Sequence, residues 1–219
     1  MVLIEAPLSA LVVPQVQVRF DRVVERWDLP ESDRSALLTW GLPVGPALRP
    51  APQPGALPTL RPTVAGERER QLVSGDEQLY LLGIDGTDTD PELMVQVGAI
   101  AGTGRVMGIS ARPMTADDLA PGLRPFKPDL YYPAVSHYNG SVSAFVEVAW
   151  RWYAADRLIG DHPGPDDSAP LEAHHWYYAE LKLSCATFLA RMALLDPTLG
   201  DNGLDSAWAE EIYEILHWF

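Results

Sequence analysis

Between residues 78 and 109 the chain reads as three short strands separated by two turns, and this pattern limits the possible folds most. Gln78 to Ile84 is an apolar run of strand length, followed by the Asp- and Gly-rich turn Asp85-Gly-Thr-Asp-Thr-Asp90. Leu93 to Ile100 is a second run, Gly102-Thr-Gly104 a tight turn, and Arg105 to Ile109 a third. Turns this short lay consecutive strands side by side, so the segment predicts an antiparallel β-meander. Its expected core is Leu81, Ile84, Val95, Val97 and Val106, joined by Phe145 and Trp152 from a later helix.

Helical patterns flank the meander. Val16, Phe20, Val23, Val24 and Trp27 recur at roughly helical spacing within 15–41, and Pro30 opens a second helix, Glu31 to Trp40, stopped by Gly41 and Pro43. Seven prolines from Pro43 to Pro62 predict an extended connection with little regular structure, either a stiff loop or a proline-rich ligand. Prolines 113, 121, 125 and 128 mark a second loop, after which Asp129 to Val135 is expected to return to the sheet. Asn139 or Ser141 can cap a helix running to about Asp156, with Val142, Phe145, Val146, Ala149, Trp152 and Tyr153 on its apolar face. Leu171 to Leu195 and Ser206 to Phe219 are two further helices. The fold class is therefore α+β: N-terminal helices, an antiparallel sheet, and C-terminal helices packed on it. A length of 219 residues fits one domain, 1–219, with the proline-rich connection at 43–62 and extra helices at 171–219.

Charge narrows the partners. The net charge is −14; residues 1–80 contribute −2 and residues 81–219 contribute −12. An acidic surface repels phosphate backbones and anionic lipids, which speaks against direct contact with nucleic acid or membrane. A basic protein is the natural complement, although acidity also serves solubility alone. One cysteine, Cys185, permits no internal disulfide and suits the reducing cytoplasm. The apolar run Leu8 to Val13 is too short for a leader core or a membrane span.

Candidate chemistry fails on spacing. Asp85, Asp88 and Asp90 lack the Gly and closing Glu of a calcium loop, so a hairpin turn is expected there. Gly102-Thr-Gly104 lacks the third Gly of a dinucleotide loop, because residue 107 is Met107. His174 and His175 point about 100° apart on a helix and do not share a metal readily. Ser141 reads as a cap and not as a nucleophile, and Glu210, Glu211 and Glu214 as a solvated face. No metal, no cofactor and no catalytic residue is expected.

Two stretches carry a resemblance. One is Glu77-Gln-Leu-Tyr-Leu-Leu-Gly-Ile-Asp85 with Met94-Val-Gln-Val-Gly-Ala-Ile-Ala-Gly-Thr-Gly-Arg-Val-Met107. The other is Tyr138-Asn-Gly-Ser-Val-Ser-Ala-Phe-Val-Glu147. A strand ending in Gly, a second strand, a Gly turn into a third, then Asn-x-Ser before a helix with Phe resembles the SUKH superfamily of bacterial immunity proteins, and within it the group-four branch. The Gly41-Leu-Pro43 stop ahead of the sheet agrees. The resemblance covers about 30–157, and its motifs are structural residues. It implies an α+β fold with a curved sheet, no catalytic site, and neutralisation of a toxin, often a nuclease or deaminase, by direct binding.

Two functions follow. The first is a non-catalytic immunity protein that blocks a basic toxin domain acting on nucleic acid. Its candidate binding residues are loop carboxylates: Asp85, Asp88, Asp90, Asp117, Asp118, Asp161, Asp166 and Asp167. The alternative is an adaptor or structural subunit of a bacterial assembly, docking through Trp176, Tyr177, Tyr178, Trp208 and Trp218.

Overall fold

The computed structural model describes residues 2–51, 55–85, 94–161, 164–166, 168–200, 206–209 and 212. Two single-turn helices, α1 (Val2–Glu5) and α2 (Leu8–Leu11), lead into strand β1 (Gln17–Val18) and a 3-10 turn at Arg22–Arg26. The expected first helix is thus absent. Asp21 accepts a 2.8 Å hydrogen bond from Val23 N and starts a tight turn instead. Trp27, read as part of a helical stripe, stacks on Tyr80 of the sheet with ring centroids 4.5 Å apart. Helix α3 (Glu31–Trp40) follows Pro30, as its sequence requires. Gly41 ends it with φ of 55°, a conformation that suits a residue without Cβ.

The proline-rich connection contains two strands. β2 (Leu42–Pro43) pairs with β1, and β3 (Leu48–Pro50) forms the edge of the main sheet. Proline is tolerated at an edge because only one side of the strand needs its donors. Helix α4 (Glu67–Leu72) then precedes β4 (Leu79–Asp85), β5 (Val95–Ile100) and β6 (Val106–Ile109), the three strands of the meander. A small hairpin, β7 (Met114–Thr115) with β8 (Tyr131–Tyr132), closes the second proline loop. The chain returns to the main sheet at β9 (Val135–Asn139), later than Asp129 to Val135 suggested. The five-stranded sheet has order β3-β4-β5-β6-β9, antiparallel throughout.

Both faces of this sheet are covered. Tyr80, Leu82, Val97, Ala99, Val106 and Tyr138 join the large core with the helices. Leu79, Ile100, Met107, Ile109 and Val135 face the other way, under Leu60, Val64, Leu72 and Val73. Leu81, Ile84 and Val95, expected in the core, are only half-buried. Simple alternation puts Tyr80 and Leu82 inward and Leu81 outward, and the register shift between Leu81 and Gly83 then sets Ile84 opposite Gln96, on the same face as Leu81. Val97, Val106, Phe145 and Trp152 are buried as expected. On the outer side, buried Glu69 of α4 accepts from Tyr131 Oη at 2.8 Å and from Ala134 N at 3.0 Å, tying α4 to the strand junction.

Helix α5 (Val142–Gly160) is the centre of the molecule. Ser141 caps it, accepting from Ala144 N at 3.1 Å. Its apolar residues run round the helix, since Val148 and Trp150 are buried along with Phe145 and Val146. Such a helix needs partners on every side. The sheet, α3 and the N-terminal helices supply them, and so does α6 (Leu171–Leu195). Buried Arg151 donates to Ile4 O at 3.3 Å, Ala6 O at 2.9 Å and Glu147, which docks the N-terminal segment on α5.

The β5–β6 turn is locked against two helices. Buried Asp33 of α3 accepts from Ser143 N at the start of α5, at 2.9 Å through Oδ1, and its Oδ2 lies against Gly104. Gly104 has φ of 74°, and a Cβ there would overlap that carboxylate. Gly104→Ala is expected to cost more than the ~1–2 kcal/mol of a left-handed residue alone, read from urea unfolding. A smaller loss would show that the turn moves independently of α3.

Candidate binding surface

A groove of about 840 Å³ runs between α1, α5 and α6, walled by Ile4, Trp152, Leu158, Ile159, Tyr177 and Phe188. Its walls are mostly apolar, and its charged lining residues are Asp161, Glu180 and Arg191, the last 3.8 Å from Glu5. Cys185 also lines it, and burial pushes that thiol up from its usual value, so it is no ready nucleophile. Among the described residues no three His, Cys, Asp or Glu side chains are grouped to hold a metal, and no helix is long and apolar enough to cross a membrane.

The acidic candidates differ in how free they are. Asp85 ends β4, half-buried, and accepts from Tyr138 Oη. Asp118 pairs with Arg112 at 2.7 Å and accepts from Thr115 N at 2.7 Å. The Arg112 bond, with that backbone donor, holds its carboxyl down at about 2. Asp117 beside it is 95% exposed, 3.9 Å from Arg124. Asp161 sits at the C-cap of α5 and Asp166 in the following loop, both exposed. Asp166 accepts from Ser168 Oγ at 2.6 Å and Ser168 N at 2.9 Å, which hold its carboxyl below the usual value. Neither Asp161 nor Asp166 has a Lys or Arg partner among the described residues. Asp88, Asp90, Asp167 and Trp218 lie outside the described residues.

The aromatic candidates divide as well. Trp176 is 70% exposed on α6, and half-buried Tyr177 walls the groove with its ring 5.4 Å from Tyr178. Trp208 is buried, edge-on to Tyr138 at 5.3 Å, and donates from Nε1 to Asn139 Oδ1 at 2.9 Å. It therefore builds the core and presents nothing to a partner, a correction to its reading as a docking residue. The structure brings Asp161 and Tyr177 into one groove. Leu158 and Leu183, exposed beside them, carried no signal by residue type, since isolated surface Leu is ordinary.

A polar network closes the opposite end of α5. Asp196 accepts from Asn139 Nδ2 at 2.7 Å, Gly140 N at 2.8 Å, and Thr198 N and Oγ1 at 3.0 and 2.7 Å. Thr198 Oγ1, having given its proton to Asp196, is left to accept from His137 Nε2 at 3.0 Å. Burial pushes His137 down from its usual value. Thr198 Oγ1 thus gives its proton to Asp196 and not to His137, unlike a nucleophile activated by its base. The network is a structural joint.

A five-stranded antiparallel sheet between N-terminal and C-terminal helices, with an apolar groove and exposed carboxylates, defines an α+β protein. The model of the SUKH-4 immunity protein family matches residues 5–213, and the chain belongs to that family. The match takes in α2, α6 and Trp208, beyond the 30–157 covered by the sequence motifs. No curated protein and no solved structure matches the chain. Family membership carries a toxin-neutralising immunity role.

Proposed function

We propose that this chain neutralises a basic toxin domain acting on nucleic acid, by direct protein binding in the cytoplasm and without catalysis or a cofactor of its own. Family membership supports the role, and one feature of the surface supports the charge of the partner. The loop between α5 and α6, residues 161–170, contains Asp161, Asp166 and Asp167 and no Lys or Arg. This stretch joins α5 to α6 along the groove, so acidic rim and apolar wall adjoin. A nuclease or deaminase presents a basic cleft, and carboxylates on a loop can occupy it where phosphates would. Asp85 and Asp118 are engaged by Tyr138 and Arg112 and contribute less.

The test is co-expression with the toxin encoded beside the gene, followed by association kinetics from low to high salt. A stable complex is expected, with an association rate that falls as salt rises. Replacing Asp161, Asp166 and Asp167 by Asn together should slow association several-fold and flatten that dependence, with the melting temperature little changed. A rate flat in salt for the unmodified chain would refute the acidic surface.

A further inference from the structure

Helix α6 is apolar on two opposite sides. Its inner residues Leu181, Cys185, Leu189 and Met192 are buried. On the outer side Trp176, Leu183 and Leu194 are 70%, 68% and 77% exposed. Alanines flank them on one side, where Ala179, Ala186 and Ala190 are exposed and Ala193 half-exposed, and the exposed Glu180 and Thr187 flank them on the other. Trp176, Leu183 and Ala190 recur every seven residues, as do Ala179, Ala186 and Ala193. These are the a and d positions of a coiled-coil seam, set opposite the buried face. A second apolar row opposite a buried face suits an interface, and monomers rarely leave such a row in water.

We propose that this seam pairs antiparallel with the same seam of a second copy of the chain, about a two-fold axis between residues 184 and 185. In that register Leu183 faces Ala186 of the other copy, Trp176 faces Ala193, and Ala179 faces Ala190. Each layer joins an a position to a d position, and the two large residues meet small ones. The same patch completes both halves, as a closed two-fold contact demands.

Charge selects this occupant. Helix α6 has two acids, Glu172 and Glu180, and two bases, Lys182 and Arg191, so it is neutral in a chain of −14. Two copies meeting elsewhere on the acidic surface repel, and across α6 they do not. A basic partner finds no net charge there to attract it. At ~1.5 Å per residue the helix is about 37 Å long, which makes the contact modest for a dimer and its expected affinity micromolar. Leu183 also lines the groove, so pairing and toxin binding meet at that edge of α6; the dimer is measured without toxin, and its outcome is read separately from the toxin-binding reading.

Sedimentation of the full chain at tens of micromolar tests it. A species of twice the 24.1 kDa chain mass is expected. Leu183→Glu or Trp176→Glu should each halve that mass and leave the cooperative melt intact, because both side chains are exposed. The register has its own readout: on oxidation, a mixture of Ala179→Cys and Ala190→Cys chains should form a disulfide-linked dimer, and neither variant alone should. An unmodified chain that stays monomeric overturns the proposal, as does a dimer that survives both Glu substitutions or a cross-link formed by either variant alone. A monomer that dimerises only once residues 213–219 are removed also overturns it, and assigns the face to the chain's own C-terminus.

Discussion

Phe145→Ala should destabilise the fold by about 3–5 kcal/mol, the range for removing a buried aromatic ring. Phe145 is fully buried on α5. Its ring centroid lies 5.8 Å from that of Tyr138 on β9 and 5.6 Å from that of Trp208. The space left by truncation would thus open where sheet, central helix and C-terminal residues meet. Tyr138 and Trp208 are each tied by a hydrogen bond, to Asp85 and to Asn139, and are poorly placed to collapse into it. The loss is therefore expected at the upper end of the range, lowering the melting temperature by about 10 °C or more. A loss under about 1 kcal/mol would show that α5 is not packed on the sheet in this way.

Asp196→Ala is the second large effect, about 2–4 kcal/mol, since it leaves several buried donors without an acceptor. Four donors converge on this carboxylate, from Asn139, Gly140 and Thr198. Asn139 is in turn held by Trp208, so the damage extends to the C-terminal residues. Asp196→Asn should cost nearly as much, because its amide nitrogen would meet other donors. Burial pushes the Asp196 carboxyl up, but the hydrogen bonds from Thr198, Asn139 and Gly140 outweigh it and hold it below the usual range. A carboxyl lower in the folded than in the unfolded chain adds stability above the unfolded value of about 4. That contribution is lost as pH falls through the folded value. The gap between the original chain and Asp196→Asn should accordingly narrow in acid, as measured by urea unfolding from neutral pH to below pH ~4. A gap independent of pH would mean the carboxylate is not the anchor.

Neither the Trp208–Asn139–Asp196 joint nor the Glu69 lock was legible in the sequence. Asn139 read as a possible helix cap, Trp208 as a docking aromatic, and Asp196 as the residue just past a helix ending at Leu195. Each reading follows from residue type and neighbours in the chain. The actual roles need partners 57 and 69 residues away, which no local pattern encodes. The α6 seam is the opposite case: its seven-residue spacing is plain in the sequence, but which side of the helix faces solvent is not.

By its motifs the sequence resembled the family, and by local pattern it determined the meander, a helix cap at Asn139 or Ser141, and the bounds of α3 and α6. Those features rest on turn chemistry, capping and periodicity, which act over a few residues. Tertiary structure alone decided that 15–29 forms a strand and a tight turn, and that Leu48–Pro50 joins the sheet. It also decided that Tyr80 and Leu82, not Leu81 and Ile84, face the core. In each of these places the local pattern suits more than one conformation, and pairing with a distant strand or burial against a distant ring selects among them.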